Sequence, residues 1–161
     1  MRVAVITVSD EVASGADADR GGTLAASLLT DLGHETDLAV VPDDPDLIAA
    51  AVHRAIGESA RAVVLCGGTG IGPRDHTASV VKSLVSFEIP GIAEEIRRRG
   101  SSHTRQALVS REVAGALIAP GRQPAFVVAI PGSRGGVRDA FAVLADVLDY
   151  VVGQLDGDGH A

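Results

Sequence analysis

The sequence predicts an α/β fold with helices on both faces of a mostly parallel sheet. Apolar runs of strand length recur between segments whose apolar residues repeat at helical intervals, which is the alternation a covered parallel sheet produces. One run, Ala125–Ile130, is apolar on both sides and belongs in the middle of such a sheet. With 161 residues the chain suits one domain, because a chain of this size buries roughly 70% of the surface its unfolded form exposes. The expected organisation is one domain over residues 1–153 and a polar, glycine-rich, flexible tail over 154–161.

The first strand is expected at Val3–Val8, followed by a polar loop from Ser9 to Gly22. Leu24, Ala25, Leu28, Leu29 and Leu32 then mark one face of a helix that Gly33 stops. A second strand runs to Val41 and ends in Pro42-Asp43-Asp44-Pro45, where Asp44 and Pro45 suit the cap and first position of a helix through about Ile56. The third strand, Ala62–Cys66, enters Gly67-Gly68-Thr69-Gly70-Ile71-Gly72-Pro73-Arg74-Asp75-His76-Thr77. Ala78–Leu84 and Ile92–Arg99 read as helices separated by Ile89-Pro90-Gly91. Between Gly100 and Arg122 the pattern supports only a short strand near Ala114–Ile118, antiparallel at an edge. The last helix carries Val137, Phe141, Leu144, Leu148 and Val151.

Composition narrows the function classes. The chain is 46% apolar but has only four aromatic residues, Phe87, Phe126, Phe141 and Tyr150, so base stacking has little to work with. A net charge of −7 with no basic stripe argues against nucleic acid as partner. Cys66 is the single cysteine, so no internal disulfide forms and a reducing compartment fits. Asp10 and Glu11 interrupt the N-terminal apolar run too early for a signal sequence, and no run approaches the ~20 residues of a membrane helix. The expectation is a cytoplasmic protein without a membrane partner.

Candidate chemistry gathers where strands end. Ser9-Asp10, Pro42-Asp43-Asp44, the glycine loop and Pro131-Gly132-Ser133 each follow a strand, and in a parallel sheet those ends share one edge, where ligands bind. Gly67, Gly68 and Gly70 leave amides uncovered for an anion, with a tight strand-to-helix turn as the alternative use. The loop matches neither standard phosphate template: Pro73-Arg74-Asp75 stands where a P-loop needs Gly-Lys-Ser/Thr, and Pro73 where a dinucleotide fingerprint needs glycine or alanine. Asp75 is open to two readings, a metal-ligating carboxylate beside phosphate or a helix cap, and so are Asp43 and Asp44. Arg74 could neutralise phosphate or lie on the surface. Pro131 to Gly136 offers amides, a hydroxyl and a cation at a helix start, or a plain turn. The five histidines show no zinc spacing with Cys66, which reads as a small core residue.

Taken together, Gly67-Gly68-Thr69-Gly70 with Pro73-Arg74-Asp75 and Thr77, Val41-Pro42-Asp43-Asp44, Ile89-Pro90-Gly91, Ser110-Arg111 with Ala114-Gly115, and Ile130-Pro131-Gly132-Ser133 resemble the MoaB/Mog family of molybdenum cofactor biosynthesis, which includes the gephyrin G domain. The resemblance runs from Val3 to about Val152. It implies a three-layer α/β/α molybdopterin-binding fold, assembled as a trimer or a dimer of trimers and working with other cofactor-biosynthesis proteins. It also implies a reaction in which ATP with Mg2+ adenylylates molybdopterin and releases pyrophosphate. On that resemblance Asp75 matches the essential aspartate and Asp43 the acidic position linked with nucleotide and magnesium. Gly67, Gly68, Thr69, Gly70, Ser110, Pro131, Gly132 and Ser133 match the pterin-phosphate pocket, with Arg74, Thr77 and Arg111 as further substrate-binding positions. The chain departs from the family's adenylyltransferases at Ala78-Ser79, where they continue with proline and glutamate. A molybdopterin-binding or scaffolding homologue without efficient catalysis is the alternative.

Overall fold

The computed structural model describes residues 1–159, so His160 and Ala161 of the expected tail lie outside the described residues. Six strands, β1 (Arg2–Val8), β2 (Glu35–Val41), β3 (Ala62–Cys66), β4 (Phe87–Glu88), β5 (Val113–Leu117) and β6 (Ala125–Ile130), form one sheet in the order β2-β1-β3-β6-β5-β4. β2, β1, β3 and β6 are parallel, whereas β5 runs antiparallel to β6 and β4 antiparallel to β5. The architecture is the mixed α/β one the sequence predicts, and β6 is central as its two-sided apolar pattern requires.

Alternation along the strands divides the core into two layers. Val3, Val5, Val64, Phe126, Val128 and Ile130 pack toward α2 (Arg20–Asp31), α5 (Pro90–His103) and α6 (Arg134–Leu155). Ile6, Val63, Leu65, Val127 and Ala129 face α3 (Pro45–Gly57) and α4 (Thr77–Leu84). The outer strand β2 is mostly exposed, with Leu38 and Val40 near 40%.

The structure differs from the sequence reading in four places. The Ser9–Gly22 stretch is not all loop: Ser9 accepts from the Val12 amide and caps a single turn, α1 (Asp10–Ala13), and Asp19 caps α2, which begins four residues before its first leucine. The Gly100–Arg122 stretch contains the end of α5 and a 3-10 turn at Arg105–Val109. β5 is antiparallel as expected but not at the edge, because the two-residue β4, too short to leave a periodic signal, pairs outside it. Helix α6 continues through Leu155, into the expected tail, where Asp156 pairs with Arg61.

Phe126 is fully buried in the central strand. Phe126→Ala is expected to cost about 3–5 kcal/mol, read as a lower urea midpoint with unchanged denaturant slope.

Candidate functional site

The parallel register ends β1, β2, β3 and β6 at one edge, with Val8 opposite Val41, Thr7 opposite Cys66 and Cys66 opposite Ile130. The loops that follow are pressed together by backbone contact. Gly67 donates its amide to Ile130 O at 3.0 Å, and a Cβ on Gly132 would stand 3.1 Å from the Gly67 Cα. Gly68 has φ +70°, and a Cβ there would collide with Thr77 Oγ1 and come within 2.9 Å of Asp43 Oδ1. Side chains at these glycines would separate the loops.

Ser110 and Arg111 reach the same edge because β5 is antiparallel and therefore begins there. Arg111 donates its amide to Thr69 O (2.7 Å), Nε to Gly70 O (2.8 Å) and a terminal nitrogen to Asp75 O (2.9 Å), clasping the glycine loop over three carbonyls. Ser110 Oγ lies 3.1 Å from Thr69 Oγ1. Arg74 ties the other side: Nε and a terminal nitrogen donate to Asp10 at 2.7 and 3.0 Å, and the same terminal nitrogen reaches Asp43 O at 3.2 Å. Both arginines thus spend donors on loop geometry.

The two open readings of the acidic pairs separate. Asp44 accepts from the Asp46 and Leu47 amides and caps α3, leaving Asp43 free of that duty. Asp75 does not cap α4; its carboxylate takes the Gly72 amide at 2.8 Å, and the cap position falls to His76, which makes no side-chain cap bond. Asp43 Oδ1 and Thr77 Oγ1 are buried with no hydrogen-bond partner among the described residues. Burial pushes the Asp43 carboxyl above its ordinary value, and the nearby Asp10 and Asp75 charges push the same way. Asp10 is held below the usual carboxylate range by the Arg74 hydrogen bond and then by the Asp43 amide. The Cys66 thiol is pushed up to about 12 by burial, which removes it as a nucleophile.

Three hollows surround the glycine loop. One of about 440 Å3 is bounded by Gly67, Gly68, Gly132 and Arg134 together with Asp19 and Arg20 at the start of α2. Another of about 510 Å3 is lined by Lys82, Arg97 and Arg111, and Ser79 opens onto it. A third of about 310 Å3 is bordered by Thr69, Gly70, Ser110, Pro131 and Ser133. The expected site residues therefore gather at one edge. Asp10, Asp19, Lys82, Arg97 and Glu112 were not singled out as site residues; the Ser9-Asp10 loop was a signal for the first, whereas the others are brought in by tertiary contacts alone.

Among the described residues no group of three or more His, Cys, Asp or Glu is arranged to hold a metal ion. Magnesium, however, commonly takes one or two protein carboxylates and completes its shell with water and phosphate. The orphaned Asp43 oxygen, under the field of two further carboxylates, fits that mode.

The family described as "Probable molybdopterin binding domain" matches residues 4–150. The chain belongs to the MoaB/Mog family. Similar members include the "Molybdenum cofactor biosynthesis bifunctional protein" of Chlorobaculum tepidum, 35% identical over 99% of this chain and 50% of that one. The "Molybdopterin adenylyltransferase" of Pyrococcus furiosus is 30% identical over 92% of this chain and 87% of its own. The solved structure of the tungsten cofactor synthesizing protein MoaB from Pyrococcus furiosus superposes with a TM-score of 0.89 at 29% identity, covering 96% of each chain. This chain spans about half the length of the Chlorobaculum relative. Family membership makes molybdenum cofactor biosynthesis its process.

Two outcomes follow from the site's geometry. Because the folded chain binds the Asp43 proton more tightly than the unfolded chain, ionising Asp43 costs stability as pH rises through its folded value. Asp43→Asn should raise the melting temperature at neutral pH, screened by solvent to no more than about 2–4 °C, and the gain should vanish at acid pH where Asp43 is protonated. Arg111→Lys, which keeps the charge but cannot fork to two carbonyls, should speed hydrogen exchange of the Gly67–Asp75 amides by about tenfold or more, a loss of the order of one charge-assisted hydrogen bond.

Proposed function

We propose that the protein is a molybdopterin adenylyltransferase, a nucleotidyltransferase that uses MgATP to make adenylyl-molybdopterin and pyrophosphate. The observation that carries this reading is the meeting of Asp43 and Asp75 with the glycine loop, beside a hollow lined by Lys82, Arg97 and Arg111. The name of the Pyrococcus furiosus relative supports it.

In this reading a phosphate oxygen of molybdopterin attacks the α-phosphorus of ATP, the bond to the bridging oxygen of the β-phosphate breaks, and pyrophosphate leaves with that electron pair. Two anions must approach, so the chain's task is to relieve repulsion and align them. Backbone amides of Gly68 to Gly70 and Gly132, with the hydroxyls of Thr69, Thr77, Ser110 and Ser133, receive phosphate oxygens, while Gly67 brings the loop against β6 through its bond to Ile130 O. Arg111 and Arg74 act mainly by fixing the loops, and Pro131 shapes the turn. Asp43 and Asp75 are the residues that would hold magnesium, which neutralises phosphate charge when bound. The phosphate nucleophile is already ionised near neutral pH, so no general base is required.

A single domain that includes all of α6, a homotrimer or hexamer, a cytoplasmic location and other cofactor-biosynthesis proteins as partners complete the proposal. The exposed apolar edge at Leu38, Val40 and Leu47 supports self-association. Among the described residues no helix is long and apolar enough to cross a membrane. The second reading, a molybdopterin binder or scaffold without efficient catalysis, is favoured by Ser79. It places a hydroxyl 3.4 Å from Arg111 where a carboxylate is expected of an adenylyltransferase.

Incubation with molybdopterin, ATP and magnesium should yield adenylyl-molybdopterin. No product under conditions where a relative turns over would sink the enzyme reading in favour of the binder. Asp75→Asn should lose about 100-fold or more in kcat, the scale of removing a group that aligns reacting phosphates, while retaining molybdopterin affinity.

A further inference from the structure

The hollow of about 510 Å3 beside α4 holds positive charge that its own side chains do not neutralise. Lys82, Arg97 and Arg111 line it together with Glu88 and Glu112. Arg97 is spent, because it donates to the Ser110 and Glu112 carbonyls and stands 3.3 Å from the buried Glu112 carboxylate. The other two cations are not. Arg111 uses Nε and Nη2 on Gly70 O and Asp75 O, and its remaining nitrogen, Nη1, has only the Ser79 hydroxyl at 3.4 Å. Among the described residues Lys82 makes no hydrogen bond or ion pair, and Glu88, on the short exposed β4, pairs with neither cation.

These unsatisfied donors surround one space. Ser79 and Lys82 stand three residues apart on α4, which puts them on one face of the helix. Arg111 meets that face from the residues before β5, and its two carbonyl bonds hold the guanidinium so that Nη1 cannot turn to a distant partner. Ala78 and Ser79 lie in the first turn of α4, whose cap residue His76 makes no side-chain bond, so the helix adds positive potential to the same wall. A carboxylate side chain at position 79 would pair with both cations, whereas a serine hydroxyl is too short and carries no charge.

We propose that this hollow is an effector site for a small tetrahedral oxyanion, with inorganic phosphate as the matching ligand, held by Arg111 Nη1, Lys82 Nζ and Ser79 Oγ. Arg111 presents Nε and Nη2 to the glycine loop and Nη1 to the hollow, so the site lies across the guanidinium from the loop amides. An anion bound there fixes the guanidinium and tightens the clasp on Gly70 and Asp75. The site goes beyond the adenylyltransferase reading and does not depend on it.

Thermal unfolding of the chain in phosphate and in chloride, at neutral pH and equal ionic strength, tests the site. Phosphate should raise the melting temperature along a saturable curve, by about 3–6 °C at ten times its Kd, and should slow hydrogen exchange of the Gly67–Asp75 amides. Exclusion of phosphate from the protein surface also stabilises, but without saturation and alike in every variant. Lys82→Ala should weaken the saturable response by about tenfold, as loss of a charge-assisted hydrogen bond does. Ser79→Glu should supply the carboxylate from the chain itself, melting higher without phosphate and showing no saturable response. A rise that never saturates, or a saturable one unchanged in both variants, overturns the proposal. A saturable response that saturating MgATP abolishes overturns it as well, because the anion would then occupy the substrate site. Neither readout involves adenylyl transfer, so failure of that reaction leaves the effector site standing.

Discussion

The site depends on the register of three strands that are buried from end to end apart from Arg2. β1, β3 and β6 pair in parallel so that Val8, Cys66 and Ile130 stop at one edge, and beyond them the sheet has no further partners to offer the backbone. The loops satisfy one another instead, as the Gly67 amide does with Ile130 O. Gly67 and Gly132 are required because backbones meet where a Cβ would stand, and Gly68 because its φ is positive and the Thr77 and Asp43 side chains fill that place. A one-residue slip of a strand would exchange the side chains of the two core layers and separate these loops together, so packing of the aliphatic core and geometry of the site are a single constraint.

Charge is distributed over that frame with an economy of function. The −7 chain does not lay out a cationic surface; it brings a few cations to one edge and uses two of them, Arg74 and Arg111, to hold carbonyls and Asp10 in place. Asp43 is left under the fields of Asp10 and Asp75 with an orphaned oxygen, an arrangement that is unfavourable in the empty chain and relieved by a cation. Glu112, on the far side of Ser110, is also buried but stands 3.3 Å from the Arg97 guanidinium. Among the described residues three of the four buried side-chain polar atoms without hydrogen-bond partners, on Asp43, Thr77 and Glu112, lie around the glycine loop, and the fourth, His34 Nδ1, lies at the start of β2.

Much of this was legible in sequence. The strands Ala62–Cys66 and Ala125–Ile130 have the bounds their apolar runs indicate, and Asp44 caps α3 as Asp-Pro before a helical pattern implies. Gly100–Arg122 was unreadable for a physical reason: a 3-10 turn has no long amphipathic period, and a strand of Val-Ala-Gly-Ala-Leu has little contrast between its faces. The glycine and aspartate neighbours of Arg74 leave a phosphate role open, but local sequence does not show that Asp10, 64 residues away, engages it.

By itself the sequence determined the fold class, the central strand, the aliphatic core and the loops that carry the chemistry, because periodicity, turn residues and caps act within a few residues of where they are written. Only the tertiary structure decided that Ser110 and Arg111 clasp the glycine loop and that Glu112 and Asp139 face one hollow. Those outcomes follow from the antiparallel insertion of β5 between β6 and β4, and strand order arises from contacts between distant segments that no local pattern records.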